Sequence, residues 1–288
     1  MSGFSADWLA LRESADHAAR NRRLLARFEA AFAGREHVGV LDLAGGAGSN
    51  LRGQALHLPP RQSWRLVDHD PQLLVAARAA LIAWADRVES QEPLTVLKAN
   101  RRLEITFERS DLARFDEDLL ARRLDLVTAA AFFDLVSVPW IDGFCAALAQ
   151  RRLPLYAVLS YDGVERWSPA GDSDARMLAA FCSHQSRDKG FGPAAGPRAA
   201  TLLRDALENW GYAVETASSP WRLGSSERNL IRALADGSAA AVAETGLVPA
   251  SVVAAWRASR RDASACEIGH VDLFAQWAGR APSGPQNP

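Results

Sequence analysis

The chain has 288 residues, of which 48% are hydrophobic and 23% are charged, and its formal net charge is -1. This length is enough for a large hydrophobic core, and we favour one large domain over two small ones. A net charge close to zero gives no general attraction to polyanions, so we expect neither a nucleic acid nor a membrane surface as a partner.

The N-terminal segment and the cysteines narrow the class further. Charged side chains interrupt residues 1–30, which therefore lack the apolar core of a signal peptide, and no later stretch reaches membrane-spanning length. Cys145, Cys182 and Cys266 lie far apart without a Cys-x-x-Cys spacing. The sequence thus predicts a cytoplasmic protein with neither a disulfide framework nor a metal site.

The first part of the chain alternates between helical and strand patterns. Apolar residues recur at three- and four-residue steps from residue 5 onward, which predicts an N-terminal helix over 5–34. An apolar run at 38–43 predicts the first buried strand. A short helix at 50–56 and a second strand at 64–67 follow.

The middle of the chain continues this alternation. Asp70 and Pro71 form a strong helix start, and the apolar spacing predicts a helix that continues to about Ser90. The next predicted elements are a hairpin at 95–98 and 103–107, a strand at 124–129, a helix at 138–150 and a strand at 155–160. This order predicts a doubly wound, mostly parallel α/β sheet whose carboxyl edge binds the ligand.

The alternation stops after Ser160. Segment 161–197 combines a short predicted helix with a loop rich in glycine and proline, and we interpret it as a lid inserted over the ligand site. The remaining predicted elements are a helix at 199–210, a strand at 212–217, a helical insertion at 226–263 and a strand at 268–277. We therefore predict a single domain over 1–280 and a disordered tail at 281–288.

Acidic residues follow the first three predicted strands, and a glycine turn accompanies the first of them. Asp42 ends the first strand and is followed by Gly45, Gly46 and Gly48, where the backbone can approach a ligand without an intervening Cβ. Asp68 and Asp111 follow the second and third strands. Ionised carboxylates only accept hydrogen bonds, which suits a ligand rich in amines and hydroxyls.

This arrangement resembles the class I S-adenosylmethionine-dependent methyltransferases over residues 38 to 160. The resemblance implies a seven-stranded Rossmann-like fold with S-adenosylmethionine as the cofactor. It implies that Asp42 and the turn hold the methionine end, that Asp68 binds the ribose, and that Asp111 with Leu112 binds the adenine. The implied cofactor contacts are Asp42, Ala44, Gly45, Gly46, Gly48, Asn50, Asp68, His69, Asp111, Leu112, Ala129 and Ala130.

One position departs from the family pattern. The usual turn reads acid-x-Gly-x-Gly-x-Gly, and Ala44 occupies the place of the first glycine. Alanine is tolerated there if its φ is negative, and it would then narrow the cofactor pocket slightly without abolishing it. A dinucleotide-dependent oxidoreductase is an alternative, because Asp68 follows Gly48 by the spacing of that class's ribose acid. Its Gly-x-Gly-x-x-Gly pattern, however, requires a glycine where this chain has Leu51.

The reacting end of such a site is less specific in sequence. His184 in the lid is the first candidate for a general base, because imidazole accepts a proton near neutral pH. Asp134, Tyr161 and His270 are further candidates for that role. The candidate substrate contacts are Arg12, Phe133, Trp140, Arg187 and Lys189. Core packing explains the two aromatic residues equally well, and surface solvation explains the basic ones.

The sequence therefore predicts a methyltransferase that transfers a methyl group to an oxygen or nitrogen of a small molecule. The segment after the fourth strand lacks the Asn/Asp-Pro-Pro-Tyr signature, which disfavours adenine and planar amides as acceptors. We expect a monomer or homodimer whose N-terminal helix covers the cofactor, as in similar methyltransferases. A protein that binds S-adenosylmethionine or S-adenosylhomocysteine without turnover is the alternative, ahead of the NAD(P)-dependent oxidoreductase.

Overall fold

A computed structural model describes residues 5–121 and 123–279 of the chain. Its centre is a ten-stranded sheet in the order β3-β4-β5-β2-β1-β6-β7-β10-β8, with β9 paired to β10. The strands are β1 His37–Leu43, β2 Arg61–Asp68, β3 Arg87–Gln91, β4 Leu94–Lys98, β5 Arg101–Arg109, β6 Leu126–Ala130, β7 Leu155–Ser168, β8 Tyr212–Ser218, β9 Trp221–Leu223 and β10 Ala265–Trp277.

The sheet is parallel at its centre and antiparallel at its two sides. Strands β5, β2, β1, β6 and β7 pair in parallel, so their carboxyl ends meet at one edge. The hairpin β3–β4 extends this sheet beyond β5, whereas β10 runs antiparallel to β7, β8 and β9. The predicted mostly parallel α/β sheet is confirmed.

Helices cover both faces of the sheet. They are α1 Ala6–Ala19, α2 Arg22–Phe32, α3 Ser49–Gln54, α4 Pro71–Trp84, α5 Val138–Arg151, α6 Asp174–Gln185, α7 Ala199–Asn209, α8 Arg228–Thr245 and α9 Ala250–Arg261. One buried cluster lies between the sheet and α5 with α7, and another lies between the sheet and α2, α3 and α4. The two clusters form the two layers that the alternating pattern predicts.

Two of the predicted helices differ from the structure. The single helix predicted over 5–34 is two helices, because the Asn21 side chain accepts the backbone N–H groups of Arg23 and Leu24 and starts α2. Helix α4 begins at the predicted Asp70 cap but ends at Trp84 instead of continuing to Ser90. The residues beyond it form β3, which pairs with β4. Cross-strand pairing overrides the helical spacing there.

The segment after residue 160 departs most from its prediction. Strand β7 continues to Ser168, well past the predicted end at Ser160, and pairs with β10 along this extension. Helices α6, α8 and α9 pack beside it around a third buried cluster that includes Trp167, Trp221 and Ile231. The two predicted insertions therefore share one core, which also contacts α1.

No helix within the described residues is both long and apolar enough to cross a membrane. The predicted tail at 281–288 lies outside the described residues.

Candidate functional site

The glycine turn joins β1 to α3 in a left-handed backbone conformation. Ala44, Gly46 and Gly48 have φ angles of 50°, 51° and 75°. The turn is held by hydrogen bonds from the Gly45 N–H to the Val67 carbonyl at 3.0 Å and from the Gly48 N–H to the Gly45 carbonyl at 2.8 Å. The negative φ on which a strain-free fit of alanine depends is not found at Ala44, because the chain must reverse at the residue where alanine replaces glycine.

Asp42 is fully buried at the end of β1, on the side of α3. Its Oδ1 accepts a hydrogen bond of 2.7 Å from the Asn50 side chain, which Arg20 also contacts. Its Oδ2 has no partner within the described part of the chain. Burial raises the pKa of Asp42 to about 7, and the nearby Arg20 opposes that rise. The carboxyl group therefore has one oxygen available to a hydrogen-bond donor beside the turn.

Asp68 connects the end of β2 to the glycine turn. Its Oδ2 accepts the Gly46 N–H at 2.9 Å, and its Oδ1 accepts the Asp70 N–H at 3.0 Å. The exposed His69 ring lies 3.3 Å from the same Oδ1. A carboxylate has about four acceptor positions, so two positions remain for further donors. Asp70 itself caps α4 through its Oδ1, as predicted.

Asp111 and Leu112 lie in the loop that follows β5. The exposed Asp111 side chain accepts the Ala113 N–H and starts a short 3₁₀ helix. The buried Leu112 carbonyl accepts a hydrogen bond of 2.7 Å from the Trp140 indole. Trp140 thus anchors this loop to α5, in a core position where it stacks on Phe144 at 5.3 Å.

Helix α1 lies directly over the glycine turn. A Cβ built on Gly46 would meet Leu9 Cδ1 at 3.1 Å. Two polar contacts hold the rest of the helix against α3. The Arg52 Nε donates to Glu13 Oε1 at 2.7 Å, and the His17 ring lies 3.0 Å from the Ser49 carbonyl. The predicted N-terminal cover is thus in contact with the turn itself.

Left-handed residues recur along the carboxyl edge. Ala131 after β6 and Leu159 within β7 have φ angles of 50° and 59°. Strand β6 pairs with β1, which Ala44 follows, and β7 pairs with β6. The fully buried Asp272 holds Leu159 in place by accepting its N–H at 2.9 Å. Non-glycine residues adopt this conformation at a cost of about 1–2 kcal/mol each. Such strain concentrates at functional sites.

A buried polar cluster lies beside this edge, under α1. We call it the acceptor cluster and define it as Arg12, Asp134, Tyr161, Trp221 and His270. Arg12 binds Asp16 through its Nε at 2.9 Å and lies over the Trp221 ring at 4.9 Å. The Trp221 ring contacts His270 at a centroid distance of 4.9 Å, and Tyr161 lies opposite His270 in the β7–β10 pairing.

Two members of the acceptor cluster have buried polar atoms without a partner. Asp134 and His270 are 8% and 5% exposed, and Asp134 Oδ1 and His270 Nδ1 make no hydrogen bond to any described residue. Burial raises the pKa of Asp134 to about 6, against the effects of nearby backbone N–H groups and Arg12. Burial and Arg12 lower the pKa of His270 to about 3, so its ring is neutral at pH 7.

Three predicted site residues lie elsewhere, on the α6–α8 surface. His184 Nε2 is 2.9 Å from Glu244 Oε2, and its Nδ1 is 3.4 Å from the Lys189 ammonium group. Arg187 donates to the Glu244 carbonyl. Within residues 5–121 and 123–279, no described contact joins these side chains to the acids of the carboxyl edge. Both nitrogens of the His184 ring are already occupied.

The remaining predicted contacts divide between the core and the edge. Phe133 is buried among the aromatic residues of α5, and Ala129 is buried within β6. Ala130 is partly exposed at the carboxyl end of β6. Sequence reasoning missed Trp221, because β9 has only three residues and is too short to show strand periodicity. The only local sequence feature that pointed to Trp221 was the basic Arg222 directly after it.

No protein-family model matches the chain, and a comparison with curated proteins finds no match either. Many solved structures match it. A cyclopropane-fatty-acyl-phospholipid synthase-like protein from Lactobacillus casei is 14% identical, with 94% of each chain covered and a TM-score of 0.52. The cyclopropane synthase MmaA2 from Mycobacterium tuberculosis is 10% identical, with 95% of each chain covered and a TM-score of 0.48.

An S-adenosylmethionine-dependent methyltransferase from Geobacter sulfurreducens, solved with S-adenosylhomocysteine, is 15% identical, with 96% of this chain and 100% of that chain covered and a TM-score of 0.44. At these identities the similarity concerns the fold alone. The similarity to the Lactobacillus casei structure supports the predicted doubly wound α/β fold.

Proposed function

We propose that the protein is an S-adenosylmethionine-dependent methyltransferase that acts on an oxygen or nitrogen of a small molecule. The observation that carries this proposal is the link between Asp68 and the glycine turn. The carboxylate holds the Gly46 N–H and keeps free acceptor positions at the carboxyl edge. The fold supports the proposal, because ligands of open α/β sheets bind at this edge.

The residues at the edge fit the parts of this cofactor. The unpartnered Asp42 Oδ2 is an acceptor for an amino group, and burial makes an unpaired polar atom there costly without a ligand. Asp68 would accept ribose hydroxyls, and Asp111 would accept the adenine amine next to the Leu112 backbone. When bound, S-adenosylmethionine supplies a methyl group that is activated by the attached sulfonium. The chain's own task is then to orient an acceptor and exclude water.

Ligand binding tests the first half of the proposal. In a thermal melt, S-adenosylhomocysteine at a hundred times its dissociation constant should stabilise the protein by about 2.7 kcal/mol. Asp68→Asn should remove most of this shift. Asp70→Asn is the matched control, because asparagine also caps a helix and the change removes a carboxylate two residues away. An absence of any shift in the unaltered protein would overturn the proposal.

Turnover tests the second half. The protein is incubated with methyl-labelled S-adenosylmethionine and a small-molecule extract, and labelled products are detected by mass spectrometry together with released S-adenosylhomocysteine. A labelled product supports a transferase. Binding without any labelled product would favour the non-catalytic alternative instead.

A further inference from the structure

The acceptor cluster contains two buried polar atoms that have no hydrogen-bond partner among the described residues. About nine in ten buried polar groups in proteins have a hydrogen-bond partner. Here Asp134 Oδ1 and His270 Nδ1 both lack one, and their residues are 8% and 5% exposed. Tyr161 lies next to both residues. Its backbone N–H lowers the pKa of Asp134, and its ring centroid is 6.4 Å from that of His270. Two unpaired atoms in one cluster indicate a polar ligand.

The charges of the cluster define what that ligand must offer. Asp16 neutralises Arg12 through three hydrogen bonds and also accepts the Trp221 indole N–H at 3.0 Å. Arg12 is therefore already paired, and the neutral His270 ring contributes no charge. Asp134 is then the one acidic group of the defined cluster, and its charge changes with its protonation. A ligand that completes the cluster must donate hydrogen bonds and carry positive charge.

The His270 ring has a defined role in this arrangement. The neutral His270 ring has one N–H and one acceptor nitrogen, and its Nδ1 has no partner among the described residues. A ligand amine can pair with this nitrogen and donate to the Asp134 carboxylate, which is an acceptor. The Trp221 and Tyr161 rings contact the His270 ring, so aromatic surface lies next to the unpaired nitrogen. An amine matches each of these features, whereas a carboxylate or phosphate would oppose Asp134.

We propose that Asp134 and His270 bind the methyl acceptor and that this acceptor is an amine, an inference that rests on the proposed methyltransferase function. Asp134 Oδ1 takes one proton from the ammonium form, which leaves a neutral amine. The amine lone pair forms the new N–C bond while the C–S bond of the sulfonium breaks, and that electron pair stays on sulfur. The product leaves as a methylated ammonium ion, and Asp134 returns its proton to solvent.

The experiment divides a small-molecule extract on a cation-exchange column. The retained, cationic fraction and the flow-through are each incubated with the protein and methyl-labelled S-adenosylmethionine. We expect the labelled product in the retained fraction. Asp134→Asn should reduce labelling at least a hundredfold, consistent with loss of a general base. His270→Gln should reduce it at least tenfold, mainly through a higher KM, because the glutamine amide does not place a polar atom where the His270 Nδ1 lies.

Two control variants test the chemistry of these changes. Asp142→Asn alters an exposed carboxylate on α5, and His37→Gln alters an exposed imidazole at the opposite end of β1, so both should label as the unaltered protein does. Binding of S-adenosylhomocysteine is measured for every variant in the same thermal melt. A variant that binds it normally is folded, so its loss of labelling reports on the acceptor.

The outcomes separate the two proposals. If the unaltered protein does not bind S-adenosylhomocysteine, the proposed methyltransferase function itself is wrong. If that binding is intact, labelling confined to the flow-through, labelling in neither fraction, or normal labelling by Asp134→Asn each overturns the amine proposal.

Discussion

The buried Asp42 makes a direct prediction about how the stability of the protein depends on pH. Asp42 is 0% exposed, and its only hydrogen bond among the described residues is the one to Asn50. Burial raises its pKa from 3.8 to about 7. Between these two values the folded protein holds a proton that the unfolded chain has released. The free energy of unfolding must therefore fall as the pH rises through this interval.

The size of the effect follows from the same values. Each pKa unit corresponds to about 1.36 kcal/mol, so the interval from 3.8 to about 7 represents up to about 4 kcal/mol in total. The contribution of Asp42 is complete below pH 4 and is lost once the pH exceeds about 7. Asp42→Asn removes this dependence. Its amide resembles the protonated carboxyl, because both place an unpaired donor in the same buried position.

The assay is urea unfolding without ligand at pH 5, 6, 7 and 8. At pH 5 the variant should already be more stable than the unaltered protein by about 1–2 kcal/mol, because the unfolded chain has released the proton that the folded protein keeps on Asp42. At pH 8 the variant should be more stable by about 2–4 kcal/mol. Asp116→Asn is the control, since Asp116 is exposed and caps a short helix that asparagine also caps. Parallel curves for Asp42→Asn and the unaltered protein would refute the reasoning.

Three further substitutions test individual parts of the site. Ala44→Gly should stabilise the protein by up to about 1 kcal/mol in urea unfolding, because the left-handed conformation strains alanine; a loss above 1 kcal/mol would contradict this. Asp272→Ala should lower the free energy of unfolding by at least about 3 kcal/mol, because the N–H groups of Asn21 and Leu159 and the Ser219 hydroxyl lose their acceptor. A decrease below about 1 kcal/mol would be inconsistent with that role. Trp140→Phe should cost about 1–2 kcal/mol by the same assay, since the Leu112 carbonyl loses its donor, and an unchanged stability would argue against that anchor.

The local patterns of the sequence account for much of the sheet and the edge. Hydrophobic runs predicted the parallel strands, because a strand that is buried on both faces must be apolar throughout its length. The Asp70 cap and Pro71 predicted the start of α4 correctly. The acids after β1, β2 and β5 could be placed at one edge, since right-handed crossovers leave few other arrangements.

Contacts between distant segments decided the rest. Asn21 divides the N-terminal helix in two partly because its N–H reaches Asp272, which is far away in the sequence. The segment around Ser90 forms a strand because β4 pairs with it. His184 looked like a base in the sequence, yet the fold surrounds its ring with Glu244 and Lys189. Such pairings have no signature within any short window of the chain.

The sequence by itself determined the order of strands and helices, the glycine turn and the acids that follow the strands, because these depend on periodicity and local backbone preference. Only the tertiary structure brought Arg12, Trp221 and His270 together, although Arg12 lies more than 200 residues before the other two. Burial then set the protonation of Asp134 and His270. Burial is a property of the packed chain, so no local pattern of residues could have revealed it.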